Sequence, residues 1–535
     1  MNFAVPEWPM AAQALPNDAV VHLAQTAEAA GWPLTLLFLH EAPALRQQLN
    51  ANGLLRLPWW NVFDQIQGIE LTEGLPLDVS DVPLPAGSDL IYNGSDVLIM
   101  QENQLLGTVT RHQGAVWQIS WQLAAGGRRV DQYDDRGLVT TQTWYTAEGQ
   151  MTRKEWLGLT GQWIMRQTDQ VAIAPSAQAR FAQASYPDAA SVVGEFLQRY
   201  LLAQTAPVSL VMMATAAAAG WQGIIPPSIA THYLVTAGQD QLLADLSGTA
   251  ASFITETAAD ARHVQAQADT AAVGNKPIIR VIPPFSTHLN LGRSNETAAS
   301  IIYWHVNRLT AEERDTVFRQ LLDQLRQEPD NQLIVNADAD EQNDEFQQTA
   351  VRFAAKQQDI DLDSAEFSRL QAVLSGEEPP AATPVEAKTE MTEADEQAAV
   401  AGGQEPENDD SAAVLAVQRF LARITYQTKA VYDQVSQDFA TARLLVDLGQ
   451  APDLYMQIAA ISAGIPQINR HQTGYVLAGQ NGQIIDRLSE LPAALAFYLN
   501  SLRHWNEALV VNARLIDQYS DDHSQALWQE VLVHG

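Results

Sequence analysis

Residues 442–470, ARLLVDLGQAPDLYMQIAAISAGIPQINR, constrain the fold more than any other stretch of this chain. Leu444, Leu445 and Val446 form a short apolar run closed by Gly449 and Pro452, the pattern of a buried strand. Asp453 then stands at a helix N-cap, with Leu454, Ile458 and Ile461 on one face of the helix it starts. Gly464 ends that helix and Pro466 keeps it from resuming, so Ile465, Gln467 and Ile468 begin a new strand. Strand, loop, helix and exit in that order make half of a βαβ unit, the building block of an α/β fold.

The same regime opens the chain, where a helix is expected over 19–30, a nearly continuous apolar strand over 34–39 and a second helix over 42–50. Trp59 and Trp60 are either a platform for stacking or aromatics packed under a loop. From about 90 to 173 the apolar period changes to two. Strands are expected over 97–101, 104–110, 115–122, 128–133, 138–145 and 151–156, with turn pairs such as Gln113-Gly114 and Glu148-Gly149 between them. This reads as an antiparallel β-meander inserted into the first α/β domain. Its Asp134-Asp135-Arg136-Gly137 has two adjacent carboxylates that could hold a metal or do acid/base work. The local pattern favours a hairpin turn with both acids in solvent and Gly137 at positive φ.

The α/β pattern resumes with a helix over 193–203 and strands over 208–213, 232–236 and 278–282, and Pro283-Pro284 then fixes an extended crossing to a second lobe. There a strand over 301–306 precedes Thr310 and Glu313, a capping box, and a further strand follows over 332–335. Residues 376–410 are rich in proline and acid with almost no large apolar side chain. They are expected to be a disordered acidic linker or loop, either merely solvated or a docking segment for a basic partner. After the opening stretch come a hairpin over 475–485 around Asn481-Gly482, a helix capped by Ser489 and a last long helix over 505–519.

The 535 residues are enough for two or three domains, and the formal charge of −32 repels nucleic acid and anionic bilayers. The absence of cysteine excludes disulfides, thiol nucleophiles and thiolate-bound metal. The first twenty residues carry no lysine or arginine and no continuous apolar core, and the best apolar run, 208–219, is too short to span a bilayer. A soluble, cytoplasmic protein without direct membrane insertion is expected. Ala460-x-Ser462-x-Gly464 mimics a nucleophile elbow, but strand and helix stand in the wrong order around the serine. His112, His232, His288 and His305 are scattered without ligand spacing, and no Walker-type or dinucleotide-binding glycine loop occurs. No catalytic residue, metal or cofactor is expected.

The half-unit at 442–470, with its Ala-Gly-Ile-Pro exit, resembles the sugar-nucleotide site of GT-B glycosyltransferases. That resemblance implies two Rossmann-like lobes facing a cleft, with the last helices returning to the first lobe through core such as Trp505, Leu509, Leu515 and Trp528. It also implies a donor site, in which retaining members use two glutamates; the corresponding positions here are Ala451 and Ala459. An arginine and a lysine clamp the pyrophosphate in those enzymes. Arg308 matches the arginine, but Glu313 stands in the lysine position. A lost charge-assisted hydrogen bond costs about 1.5–3 kcal/mol, so donor affinity is expected to fall by roughly a hundredfold or more. Arg308, Glu313, Ala451 and Ala459 are thus relic donor positions.

A narrower resemblance rests on Tyr133-Asp134-Asp135-Arg136-Gly137 in the meander, Pro283-Pro284-Phe285 followed by Leu291-Gly292-Arg293-Ser294, and Val446-Asp447-Leu448 with Pro452-Asp453-Leu454-Tyr455. It continues through the run from Ile461 to Arg470 and ends on Trp505-Asn506. These residues are similar to the accessory Sec-system family of Gram-positive bacteria, the first of its three Asp proteins. The family implies a GT-B-like protein without transferase activity. Its partners would be two companion accessory Sec proteins, the accessory SecA motor and the glycosylated serine-rich-repeat adhesin preprotein. The export complex would bring it to the membrane periphery. The expected division is 1–85 and 181–290 for the first lobe, 86–180 for the meander, 291–375 and 411–535 for the second lobe with the C-terminal helices, and 376–410 for the linker. The competing reading is an active transferase that modifies the adhesin, or a subunit that chaperones another transferase.

Overall fold

Apolar residues that alternate between two cores build each parallel sheet. In the first, Phe3, Val5, Leu210 and Met212 enter one core, and Ala4, Leu36, Val211 and Leu234 enter the other. Strands buried on both faces need helices on both faces, which is the doubly wound arrangement. The computed structural model describes residues 1–124, 126–236, 240–270, 277–375 and 409–534. The acidic segment expected over 376–410 lies outside the described residues up to 408, and helix Asp409–Leu421 begins at its end.

The chain divides into two units, Met1–Pro284 with Asp522–Gly535, and Phe285–Asp521. The first contains a seven-stranded parallel sheet in the order Ile278–Val281, Ala250–Thr255, Ala230–Val235, Ser209–Met213, Asn2–Val5, Leu34–Phe38, Trp59–Asn61. The second contains a six-stranded parallel sheet in the order Ile424–Thr428, Asn331–Ala337, Ser300–His305, Ala442–Asp447, Gln467–Asn469, Gly482–Ile484. Numbered along the chain, the first sheet read from Trp59–Asn61 and the second read from Ile424–Thr428 both start 3-2-1-4-5-6, the Rossmann order, and each has a switch point between its first and fourth strands. Helix Leu454–Ala463 forms as its sequence dictates. The Asp453 carboxylate accepts from Met456 N, and Gly464 closes the helix at φ 74, a left-handed conformation that favours glycine, with an ideal Cβ 2.5 Å from Leu509 Cδ1.

The first unit also carries a ten-stranded antiparallel sheet in sequential order from Asp89–Asn93 to Ser185–Tyr186. The expected strands appear with small shifts at their ends. Strands Asp89–Asn93, Trp163–Gln167 and Val171–Ile173 extend the sheet beyond what the alternation marked. The Asp134-Asp135-Arg136-Gly137 turn corrects an expectation. Gly137 does have φ 83, but Asp134 and Asp135 are only 4% and 7% exposed. Arg136 lies between Asp134 (2.7 Å) and Asp64 (2.8 Å), and Asp135 Oδ2 accepts from Arg46 N and Gln47 N at the start of helix Leu45–Ala51. The turn is therefore a staple between the meander and helices Leu45–Ala51 and Val62–Gln67 of the same unit. Trp60 packs inside that unit, stacked on Tyr200 with ring centroids 4.4 Å apart.

Three expectations in the C-terminal region are also corrected. Asn481-Gly482 does not turn a hairpin: Gly482–Ile484 pairs parallel with Gln467–Asn469, and the buried Asn481 side chain donates to Tyr475 O and Asn512 Oδ1. Ser489 caps nothing. It lies in a short 3-10 turn before helix Leu491–Leu499, where the Glu490 carboxylate accepts from both the Arg487 backbone N and the Arg487 guanidinium. The expected return core is divided as well. Trp528 lies in a core of the first unit, and Trp505, Leu509 and Leu515 pack within the second.

Candidate functional site

In sheets of this order ligands bind beyond the carboxyl ends of the strands at the switch point. In the second unit that point lies between Ser300–His305 and Ala442–Asp447, which pair in parallel with His305 opposite Asp447. Asn307 and Arg308, just past the first of these strands, both take positive φ, 45° and 55°. Two consecutive non-glycine residues in that region store strain and are held there by their contacts. Asn307 Nδ2 donates to Asp447 Oδ1 (2.8 Å) and Ala451 O (2.8 Å), and Arg308 N donates to Asp338 Oδ2 (2.8 Å). Gly449 completes the turn, because a Cβ there would lie 2.3 Å from Asn307 O.

Beneath this turn is a charge cluster. His305 Nε2 lies 3.1 Å from Asp453 Oδ2, and Asp447 Oδ2 accepts from Asp453 N (3.3 Å). Burial works to lower the His305 pKa, but the Asp453 hydrogen bond and the charges of Asp447, Asp453 and Asp338 outweigh it and raise the value. For Asp453, burial is outweighed by the His305 hydrogen bond and the pKa falls. For Asp447, burial dominates and the pKa rises.

The linkage has a definite sign. A histidine whose folded pKa is raised contributes stability that is fully present below about pH 6.5 and is lost as pH rises through the folded value. The lowered Asp453 contributes stability above its unfolded value that is lost as pH falls. The second unit of the wild type is therefore expected to exceed His305→Gln by about 1.5–3 kcal/mol near pH 6, with the gap shrinking toward pH 9. Chemical denaturation across that range measures it, and a gap that widens with pH contradicts the assignment.

The four positions expected as relics of a donor site lie on the two loop-helix segments that follow the strands at this switch point. Arg308 is exposed beyond the first strand. Glu313 is in the first turn of helix Ala311–Gln327, where Thr310 and Glu313 form the expected capping box. Ala451 is exposed in the loop that precedes helix Leu454–Ala463, and Ala459 is half-buried on that helix against the core of Tyr303 and Trp505. Neither methyl group can hydrogen-bond.

Glu313 is not free. Its Oε1 accepts from Arg470 Nη1 (2.8 Å), both carboxylate oxygens accept from Gln450 Nε2 (3.0 and 2.9 Å), and Oε2 accepts from Thr310 N and Oγ1. Burial pushes its pKa up, but the hydrogen bonds from Arg470, Thr310 and Gln450 hold it down to about 2. The loops thus close on each other through a carboxylate of the chain itself. Sequence reasoning did not bring Arg470, Gln450, Asn307, His305 and Asp447 to this place. Their shared signal is position, since each lies at or just beyond the carboxyl end of a strand, or in a loop there.

Among the described residues no group of three or more His, Asp or Glu is placed to hold a metal, and no helix is long and apolar enough to cross a membrane.

Two Rossmann-ordered sheets and an antiparallel sheet give this chain a GT-B-like fold, and solved structures share it. Over 99% of both chains it is similar to the Glycosylation Associate Protein (Gap123) complex from Streptococcus agalactiae, at 21% identity and TM-score 0.67. It is equally similar to accessory secretory protein 1, 2 and 3 of Streptococcus pneumoniae, with 99% of both chains covered, 20% identity and TM-score 0.66. The pneumococcal O-GlcNAc transferase GtfA in complex with UDP and GlcNAc matches over 99% of this chain and 97% of its own, at 10% identity and TM-score 0.60.

The profile of the family described as Accessory Sec system protein, the first of the Asp series, matches residues 4–372 and 385–533, and the chain belongs to that family. Relatives of that description occur in Streptococcus gordonii, 24% identical over 98% of this chain and 94% of the relative, and in Staphylococcus aureus, 24% identical over 91% and 87%.

Proposed function

We propose that this chain is a non-catalytic scaffold of the accessory Sec system. In this reading it binds its two companion proteins and works with the accessory SecA motor on the glycosylated adhesin preprotein, in the cytoplasm and at the membrane periphery through that complex. Family membership and the fold shared with structures described as accessory secretory protein 1, 2 and 3 support it.

The observation that carries the non-catalytic part is Glu313. A carboxylate stands where the resembling transferases place a phosphate-binding lysine, and Arg470, a cation near enough to replace that lysine, is already paired to it. An incoming diphosphate would have to break the Glu313–Arg470 and Glu313–Gln450 contacts and would then face the carboxylate. With Ala451 and Ala459 in place of the ribose acceptors, little remains to hold a nucleotide. The fold shared with an O-GlcNAc transferase favours the competing reading of an active enzyme with altered donor contacts.

Mixing the purified chain with its two companions and measuring mass by light scattering tests the scaffold role. A stable ternary species is expected. Three separate species at micromolar concentration would overturn it.

A further inference from the structure

We propose that the open edge of the antiparallel sheet, strand Asp89–Asn93, is a docking site for an extended, basic segment of a partner protein, which adds to the sheet as a further strand. The proposal rests on the partner-binding reading above and names the surface and the chemistry of the partner.

Strand Asp89–Asn93 is the last in its sheet and pairs on one side only, with Asp96–Gln101. The other side presents backbone N–H and C=O groups to solvent, a template for strand addition. Proteins usually guard such an edge with lysine, proline or a covering loop. Here the sequence is Asp-Leu-Ile-Tyr-Asn, without lysine or proline. Ile91 is 50% exposed and Tyr92 62%. As neighbours in a strand they point to opposite faces, so an added strand would find an uncovered apolar side chain on each face. The opposite end of the sheet is different. Ser185–Tyr186 is two residues long, its Tyr186 is buried, and it leads directly into helix Ala189–Leu202.

Charge selects the occupant. Between Arg56 and Arg111 the chain has no lysine, arginine or histidine. Asp78, Asp81, Asp89 and Glu102 are exposed on the edge strand and the segments packed beside it. The guanidinium that faces Tyr92, 5.6 Å from its ring, is Arg111, and it is committed to the carbonyls of Gly94 (2.6 Å) and Ser95 (3.1 Å). A second copy of this chain would bring the same carboxylates face to face, and an acidic segment would be repelled. A strand with lysine or arginine at alternate positions would pair with these acids and place a cation beside the Tyr92 ring.

The test uses the full chain, its two purified companions, and a pair of synthetic extended peptides of roughly ten residues, one alternating Lys and Val and the other Glu and Val. The basic peptide is expected to bind and to protect the amides of residues 89–93 from hydrogen exchange, and the acidic peptide is not. The double variant Ile91→Lys with Tyr92→Lys is expected to weaken basic-peptide binding by about tenfold or more with an unchanged melting temperature. The companion complex should protect the same amides and lose affinity in the same variant. The edge proposal is overturned if both peptides bind alike, or if the companions bind while these amides exchange freely. If the companions fail to bind the wild-type chain, the scaffold reading fails, and the peptide arm still decides the edge.

Discussion

Arg136→Ala is expected to destabilise the first unit by about 3–5 kcal/mol, because it leaves buried charge without its partner. The Arg136 side chain is 7% exposed and lies between Asp64 and Asp134, whose side chains are 9% and 2% exposed. Its Nη1 also donates to Leu71 O at 2.7 Å. Burial already pushes the Asp64 pKa up despite the ion pair, so without the guanidinium the carboxyl would have to take a proton or stay charged in a poor solvent. The loss should appear as a lower denaturant midpoint for the unit. Arg136→Lys should recover little, since a lysine cannot reach both carboxylates with a planar fork. A loss under about 1 kcal/mol would show that the turn is solvated after all, as local sequence rules suggest.

Trp505→Ala should cost the second unit a similar amount, about 3–5 kcal/mol. Trp505 is 2% exposed and lies in one core with Tyr303, Phe439 and Leu445. Its Nε1 donates to Arg443 O (2.8 Å), and the Arg443 guanidinium lies 4.3 Å from the ring centroid. Through these contacts helix Leu502–Gln518 is pinned to strand Ala442–Asp447, the strand that ends at the candidate site. Trp505→Phe keeps part of the volume but leaves the Arg443 carbonyl without its donor, so a smaller loss, near the 1–3 kcal/mol of an unsatisfied buried group, is expected. Equal losses for the two variants, read from equilibrium unfolding, would assign the energy to the hydrogen bond rather than to packing.

The elements that sequence reasoning recovered are those whose cause is local. Asp453, Gly464 and Pro466 mark one helix within a few residues of themselves, and the period of two over the meander follows from side chains that point alternately in and out. Misreadings arose where a local signal was used for a distant purpose. Asp134-Asp135-Arg136-Gly137 is a turn, but Arg136 answers Asp64, 72 residues away. Asn481-Gly482 looks like hairpin chemistry, yet the Asn481 amide is buried because it serves Tyr475 and Asn512. The resemblance to GT-B transferases implied that Glu313 has the wrong sign for a donor clamp. The cation that takes up that charge is Arg470, 157 residues further on, and no spacing rule connects the two.

The positions proposed as relics of a donor site and the edge strand belong to different units and fail independently. Substitutions at the Asp89–Asn93 edge leave the Glu313–Arg470 contact untouched, so the loss of a partner and the gain of a nucleotide can be scored in separate variants.

Titration calorimetry of the full chain with UDP-GlcNAc up to millimolar concentration decides whether the donor site is closed. No saturable heat and no release of UDP over hours are expected. Saturable binding with micromolar Kd, or steady hydrolysis or transfer of the sugar, would show that Glu313, Ala451 and Ala459 leave the donor site open.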